Sequence, residues 1–168
     1  MIRRILLTTA AVASIAAVAA CAPGPSAVPS STPTPTTAAS AEKAPNQVVG
    51  TVVRFASERT TVDVTIGEDS PGVRDFLSLL PLELTEEEFA GAEKVAYLPR
   101  ELNYAGSPGS DPEDGDLIYY TPWGNLGFYY DATGIGYSDA TLHIGTYTAT
   151  AEQLSLLEGG LVIITLVD

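Results

Sequence analysis

Apolar and polar residues alternate in Val49-Gly50-Thr51-Val52-Val53-Arg54-Phe55, and more regularly in Val62-Asp63-Val64-Thr65-Ile66, where three branched side chains share one face. The short link Ser57-Glu58-Arg59 between the runs predicts a hairpin. The period then changes to that of a helix. Val73, Phe76, Leu77 and Leu80 fall at i, i+3, i+4 and i+7, a single buried stripe, with Ser70 as N-cap, Pro71 at the first helical position and Pro81 as the stop. Leu82 to Leu84 is a short extended piece. Thr85-Glu86-Glu87-Glu88 has capping-box spacing and predicts a brief helical turn before Phe89.

Lys94 to Leu98 reads as strand, and Arg100 to Gly115, rich in Gly, Ser, Pro and Asp, as a long irregular loop. Two aromatic strands, Leu117 to Tyr120 and Leu126 to Tyr130, pair across the turn Pro122-Trp123-Gly124-Asn125. Leu142 to Tyr147 is a further strand. Thr150 caps a second helix that has Gln153 three positions on, buries Leu154 and Leu157, and stops at Gly159-Gly160. The apolar run Leu161 to Val167 predicts a well-buried closing strand. The fold class is mainly β: a closed antiparallel β-barrel with two short capping helices, its first and last strands paired.

The N-terminus has a different composition. Residues 1–20 combine the basic start Met1-Ile2-Arg3-Arg4 with an apolar run and small residues, a signal peptide rather than a membrane span. Val18-Ala19-Ala20-Cys21 matches the bacterial lipobox, in which the cysteine thiol takes the lipid and becomes the new N-terminus. Cys21 is the single cysteine, so the chain forms no internal disulfide. Residues 21–46 hold half of the proline with much Ser, Thr and Ala, and predict a disordered tether of roughly 25 to 30 Å as a flexible coil. Residues 47–168 are left for one compact domain. The expected location is the cell membrane, lipid-anchored, with the domain facing outside the cytoplasm.

Charge narrows the partners. Of 8 Lys and Arg against 21 Asp and Glu, removal of the signal takes Arg3 and Arg4, which leaves a strongly acidic mature chain. Such a chain is unsuited to nucleic acid, where cationic contacts to phosphate dominate. His143 is the only histidine, which leaves little for a transition-metal site or a hydrolytic triad. Asp111-Pro112-Glu113-Asp114-Gly115-Asp116 fails the EF-hand pattern, with Gly at the fifth position and no Glu at the twelfth, and reads as a solvated acidic loop. No phosphate-binding Gly loop occurs. No metal and no cofactor are expected.

Several segments together resemble the cyclophilins, and more closely the small bacterial cyclophilin-like domains. These are Arg74-Asp75-Phe76, Leu79-Leu80-Pro81-Leu82, Leu98-Pro99-Arg100, Gly115-Asp116, Tyr119-Tyr120-Thr121-Pro122-Trp123-Gly124-Asn125 and His143-Ile144-Gly145. The resemblance covers nearly all of residues 47–168 and implies a cyclophilin-like barrel. It also implies a groove for proline-containing peptide, in which Arg100 is the catalytic candidate, matching the arginine that holds the peptide carbonyl in the twisted state. The Phe-x-x-Gln-x-Gly element of cyclophilins has no counterpart in Leu102 to Ser110.

Tyr104, Tyr120, Trp123, Asn125, Phe128 and His143 are the candidate ligand-binding side chains, although alternation sends about half of the aromatic hairpin into the core. The leading expectation is a monomeric domain that binds an extended peptide or a small ligand near Arg100 and this hairpin. A weak peptidyl-prolyl isomerase and a non-catalytic adaptor for a protein partner are the alternatives.

Overall fold

The computed structural model describes residues 47–167. The signal segment, Cys21 and the tether lie outside the described residues. Strands β1 (Val52–Ala56) and β2 (Thr61–Ile66) form the expected hairpin, with Val53 opposite Val64 and Phe55 opposite Val62. Ser57 builds its turn: the hydroxyl accepts from the Arg59 and Thr60 amides at 3.1 and 3.2 Å. In β2 the alternation is fully expressed, because Val62, Val64 and Ile66 point inward while Thr61, Asp63 and Thr65 face solvent.

Helix α1 (Pro71–Ser78) begins where the cap predicts, with Ser70 Oγ accepting from the Val73 amide at 3.3 Å. Val73, Phe76 and Leu77 are buried along its inner stripe, and Leu80 continues it beyond the helix. Helix α2 (Ala151–Leu154) is a single turn capped by Thr150 and held to the first hairpin by Gln153 Nε2 donating to the Thr61 carbonyl at 3.1 Å. The remaining strands are β3 (Leu82–Thr85), β4 (Glu87–Phe89), β5 (Glu93–Tyr97), β6 (Asp116–Tyr120), β7 (Asn125–Tyr129), β8 (Thr141–Thr146) and β9 (Leu161–Val167).

All strand pairs are antiparallel, in the order β3-β9-β1-β2-β8-β6-β7-β5-β4. The first and last strands pair as expected, Phe55 against Ile164. The core lies on one side of the sheet, where Phe128 stacks edge-on to both Phe55 and Tyr147, at 4.8 and 5.1 Å between ring centres. Each such fully buried apolar side chain contributes about 1.5 to 3 kcal/mol relative to exposure.

Three expectations are corrected. The sheet is not a closed barrel: its edge strands, β3 and β4, are successive halves of one segment and do not pair with each other. The break is at Glu86, which makes an isolated parallel bridge to Glu158 and is 2% exposed. The chain therefore crosses from the β9 edge to the β5 edge without a continuous hydrogen-bond ladder. Second, Thr85 to Glu88 is extended rather than helical. Cross-strand partners override its local capping signal: Thr85 lies opposite Leu161, and Glu88 opposite Lys94, whose ammonium it holds. Third, β9 is buried on one face only. Val162 and Ile164 are inside, whereas Leu161 and Ile163 are exposed, because among the described residues no layer covers the other side of the sheet there.

Candidate functional site

Register decides which aromatic residues are available to a ligand. Across β5, β7 and β6, one rung holds Glu93, Tyr129 and Asp116, the next but one Val95, Gly127 and Ile118, and a third Tyr97, Asn125 and Tyr120. These point away from the core. Between them lie Lys94, Ala96, Leu126, Phe128, Leu117 and Tyr119, which point to the opposite, core-side face. Phe128, expected among the ligand contacts, is thus fully buried in the core.

On the outward face Phe89, Glu93, Tyr120, Trp123, Asn125 and Tyr129 line a hollow of about 180 Å3. Trp123 comes from the β6–β7 turn, where Gly124 at φ 66° allows the chain to reverse and its amide donates to the Tyr120 carbonyl at 2.9 Å. The indole is 48% exposed and stands between two other rings. Phe89 lies 5.2 Å from it at 81°, and Tyr120 lies 5.4 Å from it at 85°. Rings meeting edge to face in this way form the walls of a box.

The hollow also carries polar groups. Gly127 supplies bare backbone in the middle of the face, and the Glu93 carboxyl and the Tyr129 ring occupy the space that a Cβ there would take. Burial pushes the Glu93 carboxyl above the usual carboxylate range; the Tyr129 hydroxyl opposes this shift and the Glu88 charge adds to it. Burial foremost, and then Glu93, raises Tyr129 well above an ordinary tyrosine. Asn125 is 2% exposed; its Nδ2 donates to the Leu126 carbonyl at 3.2 Å, and its buried Oδ1 has no hydrogen-bond partner. An unpaired acceptor of this kind costs about 1 to 3 kcal/mol unless something reaches it.

Arg100 is outside this hollow. Its guanidinium grips Asp75 of α1 through two nitrogens, at 2.5 and 3.1 Å, and donates to the Glu101 carbonyl at 2.9 Å. The same Asp75 carboxylate accepts from the Asn103 amide at 2.8 Å, so the pair ties α1 to the start of the long loop. The Arg100 hydrogen bond holds Asp75 below the usual carboxylate range. Tyr104 joins this cluster rather than the hollow, packed at 6.1 Å on Tyr119, whose hydroxyl accepts from the Leu102 amide at 3.1 Å.

His143 lies on the outward face opposite Ile118, beyond the hollow. Its Nε2 is 3.4 Å from Asp116, whose hydrogen bond raises the imidazole above its ordinary value, and Gly67 leaves the space its ring occupies. In the expected acidic loop two carboxylates accept from backbone amides: Asp116 from Glu113 at 2.9 Å and Asp114 from Ala132 at 2.7 Å. Among the described residues no group of three His, Cys, Asp or Glu side chains is spaced to hold a metal.

Tyr120, Trp123 and Asn125 are thus brought together, while Arg100, Tyr104, Phe128 and His143 are placed elsewhere. Phe89, Glu93 and Tyr129 complete the hollow and were not singled out from sequence. Tyr129 shares the period-2 face of Asn125. Phe89 and Glu93 are passed over because the sequence predicts a helical turn just before Phe89, where the structure has strand β4.

A family model described as the cyclophilin-like family matches residues 55–166. Among solved structures, the chain is similar to the solution structure of a hypothetical protein from Archaeoglobus fulgidus. The identity is 18% and the TM-score 0.55, over 71% of this chain and 97% of that one, a likeness of fold alone. No curated protein matches. The family match spans more than half of the chain and takes in every strand from β2 to β8, and the antiparallel sheet with two short helices agrees with it; the chain belongs to the cyclophilin-like family.

Proposed function

We propose that this chain is a lipid-anchored, extracytoplasmic cyclophilin-like domain that binds an extended peptide or a small ligand in the hollow between Phe89, Tyr120 and Trp123. The observation that carries the reading is Asn125, a residue with a buried amide oxygen that lacks a partner, which lines the hollow together with three aromatic rings. Convergent polar groups at the base of an apolar concavity are the usual form of a binding site. The hollow is smaller than the roughly 300 Å3 at which drug-sized sites begin, so one side chain or one compact head group fills it. Isomerisation is the weaker reading. Arg100 would have to leave a two-point ion pair with Asp75 before it could hold a peptide carbonyl.

Because Trp123 is the only tryptophan, its fluorescence reports on the hollow directly. Titration of the full chain with proline-containing peptides and small cationic and neutral compounds is expected to give a saturable change with at least one of them. Tyr120→Ala, which removes a wall, is expected to weaken that response. Absence of any saturable change across the panel overturns the reading.

A further inference from the structure

The chemistry of the lining selects a class of ligand, given that the hollow is a binding site as proposed above. Its walls are the rings of Phe89, Tyr120 and Trp123, and aromatic faces carry partial negative charge. Its polar lining residues are Glu93, Asn125 and Tyr129, and the Asn125 Oδ1 is buried without a hydrogen-bond partner. The lining contains no Lys, Arg or His, and among the described residues none of these forms an ion pair with Glu93. Lys94, the neighbour in sequence, points to the other face and is held by Glu88 and Glu158.

We infer that the hollow is a cage for an alkylated ammonium cation, with the three rings around the methyl groups and the Glu93 carboxylate as counter-ion. Competing classes fit less of what is present. A neutral ring such as proline satisfies the aromatic walls and leaves Glu93 and Asn125 Oδ1 desolvated. A carboxylate or phosphate meets negative charge on every side. A primary ammonium pairs with Glu93 but sacrifices more hydration to enter an aromatic box than a methylated one does. The volume suits a methylated head group, and the exposed rim at Trp123 and Phe89 leaves its stem free to leave the site.

Two sources present this group: an N-methylated lysine in a peptide, or a free choline-like molecule. The test measures Trp123 fluorescence and the indole N–H resonance of the full chain. Choline chloride and a trimethyl-lysine peptide are titrated against 3,3-dimethyl-1-butanol, the uncharged isostere of choline, with sodium chloride matching ionic strength. The cations are expected to bind about tenfold or more tightly than the isostere. Glu93→Gln is expected to remove that preference while leaving the isostere unaffected. Tighter binding of the peptide assigns the source to protein, and equal binding to the free molecule; either supports the cage. Equal affinity for choline and its isostere, or unchanged choline binding in Glu93→Gln, overturns the cation assignment and leaves the ligand site standing. Proline peptides that shift Trp123 where the cations do not have the same meaning. Silence from every probe removes both.

Discussion

The Glu93 carboxyl lies over Gly127, in the space that any larger residue on that strand would fill. The two face each other diagonally across β5 and β7, so the only position on this part of the face without a side chain is the one that lets an acid lie among aromatic rings. A glycine in a central strand weakens it by entropy and lost packing, which makes its placement here the physical basis of the hollow.

Gly127→Ala is therefore expected to leave the fold intact and to disturb the site. The Cβ meets the mobile end of Glu93 and the edge of Tyr129, both of which shift; overpacking of this kind costs about 1 to 3 kcal/mol. Trp123 emission should change without ligand, and choline affinity should fall by roughly tenfold, the scale of one lost cation contact. Fluorescence and thermal melting measured on the same samples check both parts.

Arg100→Ala is expected to loosen the attachment of α1 to the long loop without touching the hollow. Amide exchange should rise at Asn103, whose N–H loses an ordered acceptor, while ligand binding at Trp123 stays at the wild-type level. In a protease-free prolyl isomerisation assay, wild type and Arg100→Ala should show equal rates near background. A clear rate in the wild type that the variant loses would restore the isomerase reading.

Stability should fall as pH rises from the acid range toward pH 8. Burial, and then the Glu158 charge, pushes Glu86 up to about 8, so between its ordinary carboxylate value and that point the folded state holds a proton that the unfolded state has released. His143 acts with the same sign. Its pKa is raised by Asp116, so its contribution is complete below the unfolded histidine value and lost as pH climbs through the folded one. Thermal melts from pH 5 to 8 should show Tm decreasing, a shallower slope in Glu86→Gln, and the shallowest in Glu86→Gln combined with His143→Gln. A wild-type profile that rises across this window contradicts the burial of Glu86 as a neutral acid.

Under the proposed lipid anchor, Cys21→Ala is expected to abolish lipid attachment and the cut that follows it, leaving residues 1–20 on the chain, without changing the melting behaviour of the domain. Cell fractionation and a mass measurement of the N-terminal peptide check it. An unmodified Cys21 on an uncleaved chain would remove the anchor from the proposal.

Local signals carried far along this chain. The period-2 runs located the first hairpin, the Ser70 and Thr150 caps located both helices, and Gly124 located the turn that bears Trp123, because each depends on neighbours within a few residues. They failed at Thr85 to Glu88, where a good capping box lost to pairing with β5, which follows closely in the chain, and with β9 at its far end. The same non-local pairing opened the sheet at Glu86 and left one face of β9 bare.

The candidate site divides along the same line. Sequence by itself determined the family, the aromatic hairpin and the scarcity of cations that makes Arg100 stand out, since composition and motif need no third dimension. Only the tertiary structure decided that Asp75 claims Arg100 and that Phe128 is core. It also decided that Phe89 and Glu93, drawn in from another hairpin, complete the box around Trp123. The reason is register. Which residues share an outward face depends on the alignment of β4, β5, β7 and β6, which long-range contacts choose and no single strand encodes.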